Sequence, residues 1–154
     1  MIAVRPAVEA DIPAMSAVMT ASVAELCVAD HRNDPGNIAK WVSNRTPEGV
    51  GKMLANPDQS FFVAERNGEI VAVGAVNRQG VVIFNYVAPT HRFQGVSRAL
   101  LAHLEQVLRE AGHREARLVS TITAHRFYLD RGWAEDGPPE VDGFSTSYPM
   151  RKVL

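Results

Sequence analysis

The stretch with the clearest chemical potential runs Val87-Ala88-Pro89-Thr90-His91-Arg92-Phe93-Gln94-Gly95-Val96-Ser97-Arg98-Ala99-Leu100-Leu101. A strand ends there, a loop containing a glycine follows, and a long helix begins. Unpaired backbone N–H groups at a helix start carry partial positive charge and suit a phosphate. Gly95 lets the backbone come close to a ligand. The loop has neither the Gly-Lys-Ser/Thr of a P-loop nor the G-x-G-x-x-G of a dinucleotide fingerprint, and a plain strand-to-helix turn accounts for it equally well. Just upstream, alternation places Val81, Ile83, Asn85 and Val87 on one face of a strand. Asn85 is the polar member of that face. It has no basicity, but it could hold a water or an amine, or simply bond a neighbouring backbone.

Other reactive side chains are scattered. His31 stands in a polar stretch, Asp30 to Asn37, where it could exchange a proton near neutral pH or serve only as a solvated loop residue, the favoured reading. Trp41 either lines a pocket or packs with Ile38 at helical spacing. His91, His103, His113 and His125 have no metal-ligand spacing, so no metal is expected. Cys27 follows an apolar helical face and reads as a buried thiol; as the sole cysteine it excludes an intramolecular disulfide. A formal net charge of -1 argues against nucleic acid as a partner. No run approaches the roughly 20 apolar residues of a membrane span, and no signal peptide is visible, so a cytoplasmic protein is expected.

These residues need a scaffold, and the hydrophobic periods supply one. Strand signals fall at 2–4, 61–65, 70–76, 81–87, 116–119, 133–135 and 144–152. Asn67-Gly68 predicts a tight hairpin, and Gly74 a bulge or a close backbone approach. Helices are predicted from Ile12 to about residue 29 with Asp11 as N-cap, around Ile38 to Val42, from Pro47 to Asn56 with Thr46 as cap, from Val96 to Ala111, and from Thr123 to Arg131. The long helix turns Leu100, Leu101, Leu104, Val107 and Leu108 inward. The order β, helices, βββ, α, β, α, ββ gives a mixed α+β domain spanning residues 1–154.

The loop and its helix resemble the pyrophosphate loop of the GNAT acetyltransferase superfamily, Arg/Gln-x-x-Gly-x-Gly/Ala before Ala-Leu-Leu. The matching residues are Arg92, Gly95 and Ser97, then Ala99-Leu100-Leu101; Ser97 replaces the usual Gly or Ala but keeps its N–H. Thr121-Ile122-Thr123-Ala124-His125-Arg126-Phe127-Tyr128-Leu129-Asp130-Arg131-Gly132-Trp133 is similar to that family's Asn-x-x-Ala-x-x-Phe-Tyr-x-x-x-Gly-Phe, with Thr121 in place of Asn and Trp133 in place of Phe. Val4-Arg5-Pro6-Ala7 and Asp11-Ile12-Pro13 give a weaker match in the expected order.

The resemblance implies a central, mostly antiparallel sheet of about six to seven strands, splayed after the fourth and flanked by about four to five helices. It implies acetyl-CoA as co-substrate, held by Val87, Arg92, Phe93, Gln94, Gly95, Val96, Ser97, Arg98, Thr121 and Phe127. Tyr128 would protonate the departing thiolate; a phenol near pKa 10 can donate to a thiolate near 8.5. Without that context, Tyr128 would read as a packed core ring. The Val87 N–H would meet the oxyanion of a tetrahedral intermediate, and Asn85, His31 and Trp41 would shape the acceptor side. The acceptor implied is a primary amine of a small molecule, acetylated by a monomer or homodimer. The rival reading is a non-catalytic acyl-CoA sensor, which would need the loop but not Tyr128.

Overall fold

The computed structural model describes residues 1–154. The chain runs β1 (Ile2–Pro6), α1 (Ile12–Leu26), α2 (Val28–His31), α3 (Pro35–Val42), α4 (Pro47–Ala55), β2 (Gln59–Arg66), β3 (Glu69–Asn77), β4 (Val82–Val87), α5 (Val96–Glu110), β5 (Glu115–Ser120), α6 (Ile122–Leu129), β6 (Ala134–Glu135), β7 (Glu140–Asp142) and β8 (Ser145–Val153). Short 3-10 turns lie at Glu9–Asp11 and Pro89–His91. No helix is long and apolar enough to cross a membrane.

The strands form two ladders. The first is antiparallel in the order β1-β2-β3-β4; in the second, β8 lies between β5 and β6 and also pairs β7. Asn67 and Gly68 take positive φ values of 54° and 79°, as the predicted β2–β3 hairpin requires. The ladders touch through one parallel bridge, Val81 to Arg117, where the Arg117 N–H donates to the Gly80 carbonyl at 3.0 Å. Beyond the bridge β4 pairs only with β3, so its outer edge stays open. The splay expected after the fourth strand is therefore present. The strand count is eight because β7, a three-residue polar piece, has no apolar pattern to betray it.

Both faces of the first ladder are covered. Leu100, Leu101, Leu104 and Leu108 of α5 pack with Phe62, Ala64 and Ala72, and reach Ala116, Leu118 and Met150 of the second ladder. On the opposite face Met15, Val18 and Met19 of α1 and Val50 of α4 meet Phe61, Val63, Val73 and Ala75. This two-sided burial explains the unbroken apolar run of β2 and β3. A Cβ on Gly74 would sit 2.9 Å from Leu104 Cδ1, so glycine here allows the close approach of α5 rather than a bulge.

One irregularity lies in β3, where Ala64 pairs with Ala72 but Glu65 with Ile70, and a second in β4. Ala75 pairs with Phe84 but Val76 pairs with Val82, leaving Ile83 as the extra residue. Alternation therefore changes phase. Val82 and Val87 join the α5 side, whereas Ile83, Phe84 and Tyr86 pack against the α1 side. Ile83 does not share a face with Asn85 and Val87, as strict alternation had suggested.

The start of α1 also differs from expectation. Asp11 is helical in φ and ψ and makes no side-chain cap. Its carboxylate instead takes two N–H groups of Arg5, at 2.8 and 2.9 Å, and the Val8 N–H at 2.8 Å. The Arg5 hydrogen bonds hold that carboxyl below its ordinary range. A charged partner is stronger than the alternative of capping a helix whose second residue, Pro13, offers no N–H.

Candidate active site

A cavity of about 550 Å³ opens where β4 and β5 separate. Three pieces of chain form its walls: the end of β4, the loop into α5, and the end of β5 with the start of α6. The C-terminal turn of α1, through Ser22, Leu26 and Cys27, closes it from the side.

The loop wall is lined with amides. Phe93 has φ 63° and Gly95 has φ 80°, left-handed conformations of the kind that build anion-binding concavities from successive N–H groups. From Phe93 to Arg98 no backbone N–H donates to any carbonyl of the protein. The guanidinium of Arg92 lies 4.5 Å from the Phe93 ring centroid, and Arg92 and Arg98 both line the cavity. Such a concavity suits the paired phosphates of a nucleotide-like cofactor. Gln94, expected in the cofactor site, does not line the cavity; its side chain accepts from Arg66 at 2.8 Å and donates to the Thr90 carbonyl at 3.4 Å.

The β4 wall is an unpaired strand edge. The Ala88 N–H donates to the Val71 carbonyl at 2.8 Å, and Tyr86 pairs with Val73. By alternation the N–H groups of Asn85 and Val87 point away from β3, into the cleft. The side chain of Asn85 reaches across the cleft, its Nδ2 donating to the hydroxyl of Tyr128 at 3.4 Å. Its Oδ1 is buried and has no partner, so one acceptor stands ready for a ligand.

Tyr128 comes from α6. Its ring is held edge-on by Phe127 (5.3 Å, 78°) and Trp133 (5.9 Å, 68°), the aromatic pair the sequence places around it. Burial pushes its phenol up to about 12, opposed by the Asn85 hydrogen bond and assisted by neighbouring Tyr86. The group thus remains a loaded hydrogen-bond donor at neutral pH. Thr121 caps α6 through its hydroxyl, which accepts the Ala124 N–H at 3.1 Å.

Of the residues singled out by sequence, Asn85, Val87, Arg92, Phe93, Gly95, Val96, Ser97, Arg98, Thr121, Phe127 and Tyr128 line the cavity. His31 and Trp41 do not. His31 is fully buried in α2 rather than solvated in a loop. Its Nε2 lies 2.8 Å from the Val23 carbonyl and its Nδ1 accepts the Asn33 N–H at 3.0 Å, so both nitrogens are engaged in local structure. Trp41 packs edge-on against His31 (75°) and tilted against Phe144 (45°), both at 6.3 Å.

Sequence reasoning missed Asp30. Buried in α2, it accepts from the Ile122 N–H at 2.7 Å, the Thr123 N–H at 3.2 Å and the Thr123 hydroxyl. The carboxylate thus caps α6 from a helix some ninety residues earlier, and no local pattern announces that. Cys27 beside it is a buried thiol, as its apolar context suggested, pushed up to about 12 by burial and then by Asp30.

Residues 24–154 match the family model described as Acetyltransferase (GNAT) domain. The chain belongs to the GNAT acetyltransferase family. An IAA acetyltransferase of Azospirillum brasilense is 34% identical over 93 residues, which cover 55% of this chain and 61% of that protein. An aminoalkylphosphonate N-acetyltransferase of Salmonella typhimurium is 31% identical over 100 residues, covering 57% of this chain and 65% of its own. The chain thus spans under two thirds of these two curated relatives. The crystal structure of the PaiA N-acetyltransferase from Thermoplasma acidophilum, solved in complex with coenzyme A, superposes with a TM-score of 0.83. That alignment covers 100% of this chain and 99% of the other at 17% identity, and so speaks for the GNAT fold alone.

Proposed function

We propose that this GNAT protein is an acetyl-CoA-dependent N-acetyltransferase acting on a primary amine of a small molecule. The observation that carries this reading is the meeting, in one cavity, of an amide-lined loop and the Asn85–Tyr128 pair. In this reading the N–H groups of residues 93–98 take the pyrophosphate, with Arg92 and Arg98 neutralising its charge. The open edge of β4 takes the pantetheine arm as another strand would lie. The Val87 N–H then donates to the thioester oxygen, where negative charge develops during attack.

The amine nitrogen attacks the thioester carbon, the carbon–sulfur bond breaks, and the sulfur leaves with the electron pair. Tyr128 donates its O–H to that sulfur. A phenol near 12 is a weaker acid than a free thiol, so transfer of its proton is completed by relay from the acceptor ammonium. Asn85 Oδ1 accepts from the amine or from a water beside it. No carboxylate stands on β4, so the acceptor ammonium loses its first proton through water before attack, and the second, left on nitrogen after attack, is the one relayed to the sulfur. No covalent enzyme intermediate is needed; holding the amine against the thioester supplies much of the rate. The curated relative named for an aminoalkylphosphonate supports a small acceptor. A cytoplasmic monomer or homodimer is the working form.

Gly95→Asp tests the cofactor site. A carboxylate placed among these amides should weaken acetyl-CoA binding at least about tenfold by calorimetry. Unchanged affinity would mean the loop does not hold the phosphates. Thiol release in an amine screen tests the transfer itself. Tight acetyl-CoA binding with no release for any amine would favour the sensor reading.

A further inference from the structure

A cation stands without a counter-ion on the side of β4 away from the phosphate loop. Arg45, in the turn between α3 and α4, makes no ion pair, although eight pairs engage other basic side chains. Its guanidinium lies 5.1 Å from the Phe84 ring centroid. Two of its five N–H groups are used, one by the Asn44 side-chain carbonyl and one by the Tyr86 hydroxyl at 3.1 Å. The Nε–H is buried and has no partner. The backbone is fixed at both ends: the Arg45 N–H donates to the Val42 carbonyl at 2.9 Å, and its own carbonyl accepts the Ser16 hydroxyl.

The arrangement is costly unless something compensates it, because a desolvated guanidinium N–H without an acceptor loses its hydration for nothing. Stacking on Phe84 offsets only part of that. Tyr86 connects the charge to the cavity. Phe84 and Tyr86 both line it, and Tyr86 is adjacent in sequence to Asn85. The Tyr86 oxygen already accepts from Arg45, so its own proton is free to be donated elsewhere. Arg45 itself does not line the cavity, but it donates to the hydroxyl of Tyr86, which does, and an uncompensated cation behind a lining tyrosine suits an anion. Arg92, Arg98 and Arg131 also line the cavity, but they belong to the α5 loop and the end of α6. Arg45 alone approaches from the side of α1 and α4.

We infer that Tyr86 and Arg45 form an acceptor-anion subsite, so that the amine substrate carries a carboxylate or phosphonate a short distance from its nitrogen. This rests on the acetyl-transfer reading above, and it narrows that reading to amino acids and aminoalkylphosphonates. The Tyr86 hydroxyl contacts the anion first, and the spare N–H groups of Arg45 supply the charge.

The experiment pairs acceptors that differ only in the anion: α-amino acids against their carboxamides, and 2-aminoethylphosphonate against ethylamine. Thiol release gives kcat/KM for each. The parent protein is expected to prefer the anionic member of at least one pair by roughly 10- to 100-fold, the span of one or two charge-assisted hydrogen bonds. Arg45→Gln should bring that ratio to within about threefold of unity, through KM of the acceptor rather than KM of acetyl-CoA, and Arg45→Lys should restore part of it. Tyr86→Phe, which keeps the ring and its packing, should lower the same ratio and serves if Arg45→Gln does not fold. Equal use of neutral and anionic amines by the parent would overturn the subsite and leave acetyl transfer standing. So would an Arg45→Gln protein that folds and keeps the full preference. Absence of thiol release with every amine would overturn both.

Discussion

Tyr128 is the residue on which the proposed chemistry turns. Tyr128→Phe removes one oxygen and keeps the contacts with Phe127 and Trp133. Turnover measured by thiol release should fall roughly 10²–10⁴-fold, with acetyl-CoA affinity by calorimetry nearly unchanged. Full activity would remove Tyr128 from the mechanism. The same hydroxyl sets an alkaline limit on stability. Its ordinary value lies near 10 and burial raises it to about 12, so between these values the native state keeps a proton the unfolded chain has lost. Its contribution is complete below about pH 10 and is lost as pH climbs towards 12. Cys27, also raised to about 12, acts with the same sign from a lower starting point. Urea midpoints taken between about pH 8 and 11.5 should fall, and fall less steeply in Tyr128→Phe.

At the scale of elements, α6 is aimed from outside itself. Thr121 caps it locally and Asp30 holds two further N–H groups and the Thr123 hydroxyl from α2. Asp30→Ala leaves those part-buried donors without the carboxylate and should lower stability by roughly 1–3 kcal/mol. Turnover should fall more than acetyl-CoA affinity, because Tyr128 rides on α6 while the phosphate loop precedes α5. Equal losses in both would assign Asp30 to the fold alone. Local signals made most elements readable beforehand: the Asn67-Gly68 hairpin, Thr46-Pro47 opening α4, and the leucine stripe of α5. Gly95 and the Phe127-Tyr128 pair were readable through their family resemblance; by themselves they read equally as a plain turn and a packed core ring. What escaped depends on partners outside the residue's own helix or strand. Asp11 turned from its helix to Arg5, the β4 bulge follows from pairing with β3, and His31 is buried by Val23 and Asn33 binding its two nitrogens. Asp30 and Arg45 likewise gain meaning only from chain far away.

The molecule as a whole consists of two ladders joined by one backbone bridge and by α5 packed across both. A ligand lying along the open edge of β4 would add connections where the protein has few. At 100 times its Kd, coenzyme A should stabilise the fold by about 2.7 kcal/mol. Hydrogen exchange should slow most at Val87 and at residues 93–98; slowing confined to other segments would place the ligand elsewhere. The strand order of the second ladder has a further consequence, for synthesis. β8, residues 145–153, lies between β5 and β6 and is also the partner of β7. As the chain leaves the ribosome, β1 to β4 and α5 can assemble while β5 still waits for its neighbour. During that interval β5 is an unpaired strand with one apolar face, its Leu118 not yet covered by Met150. Any delay in the docking of β8 therefore lengthens the time for which a new chain can pair with the wrong strand.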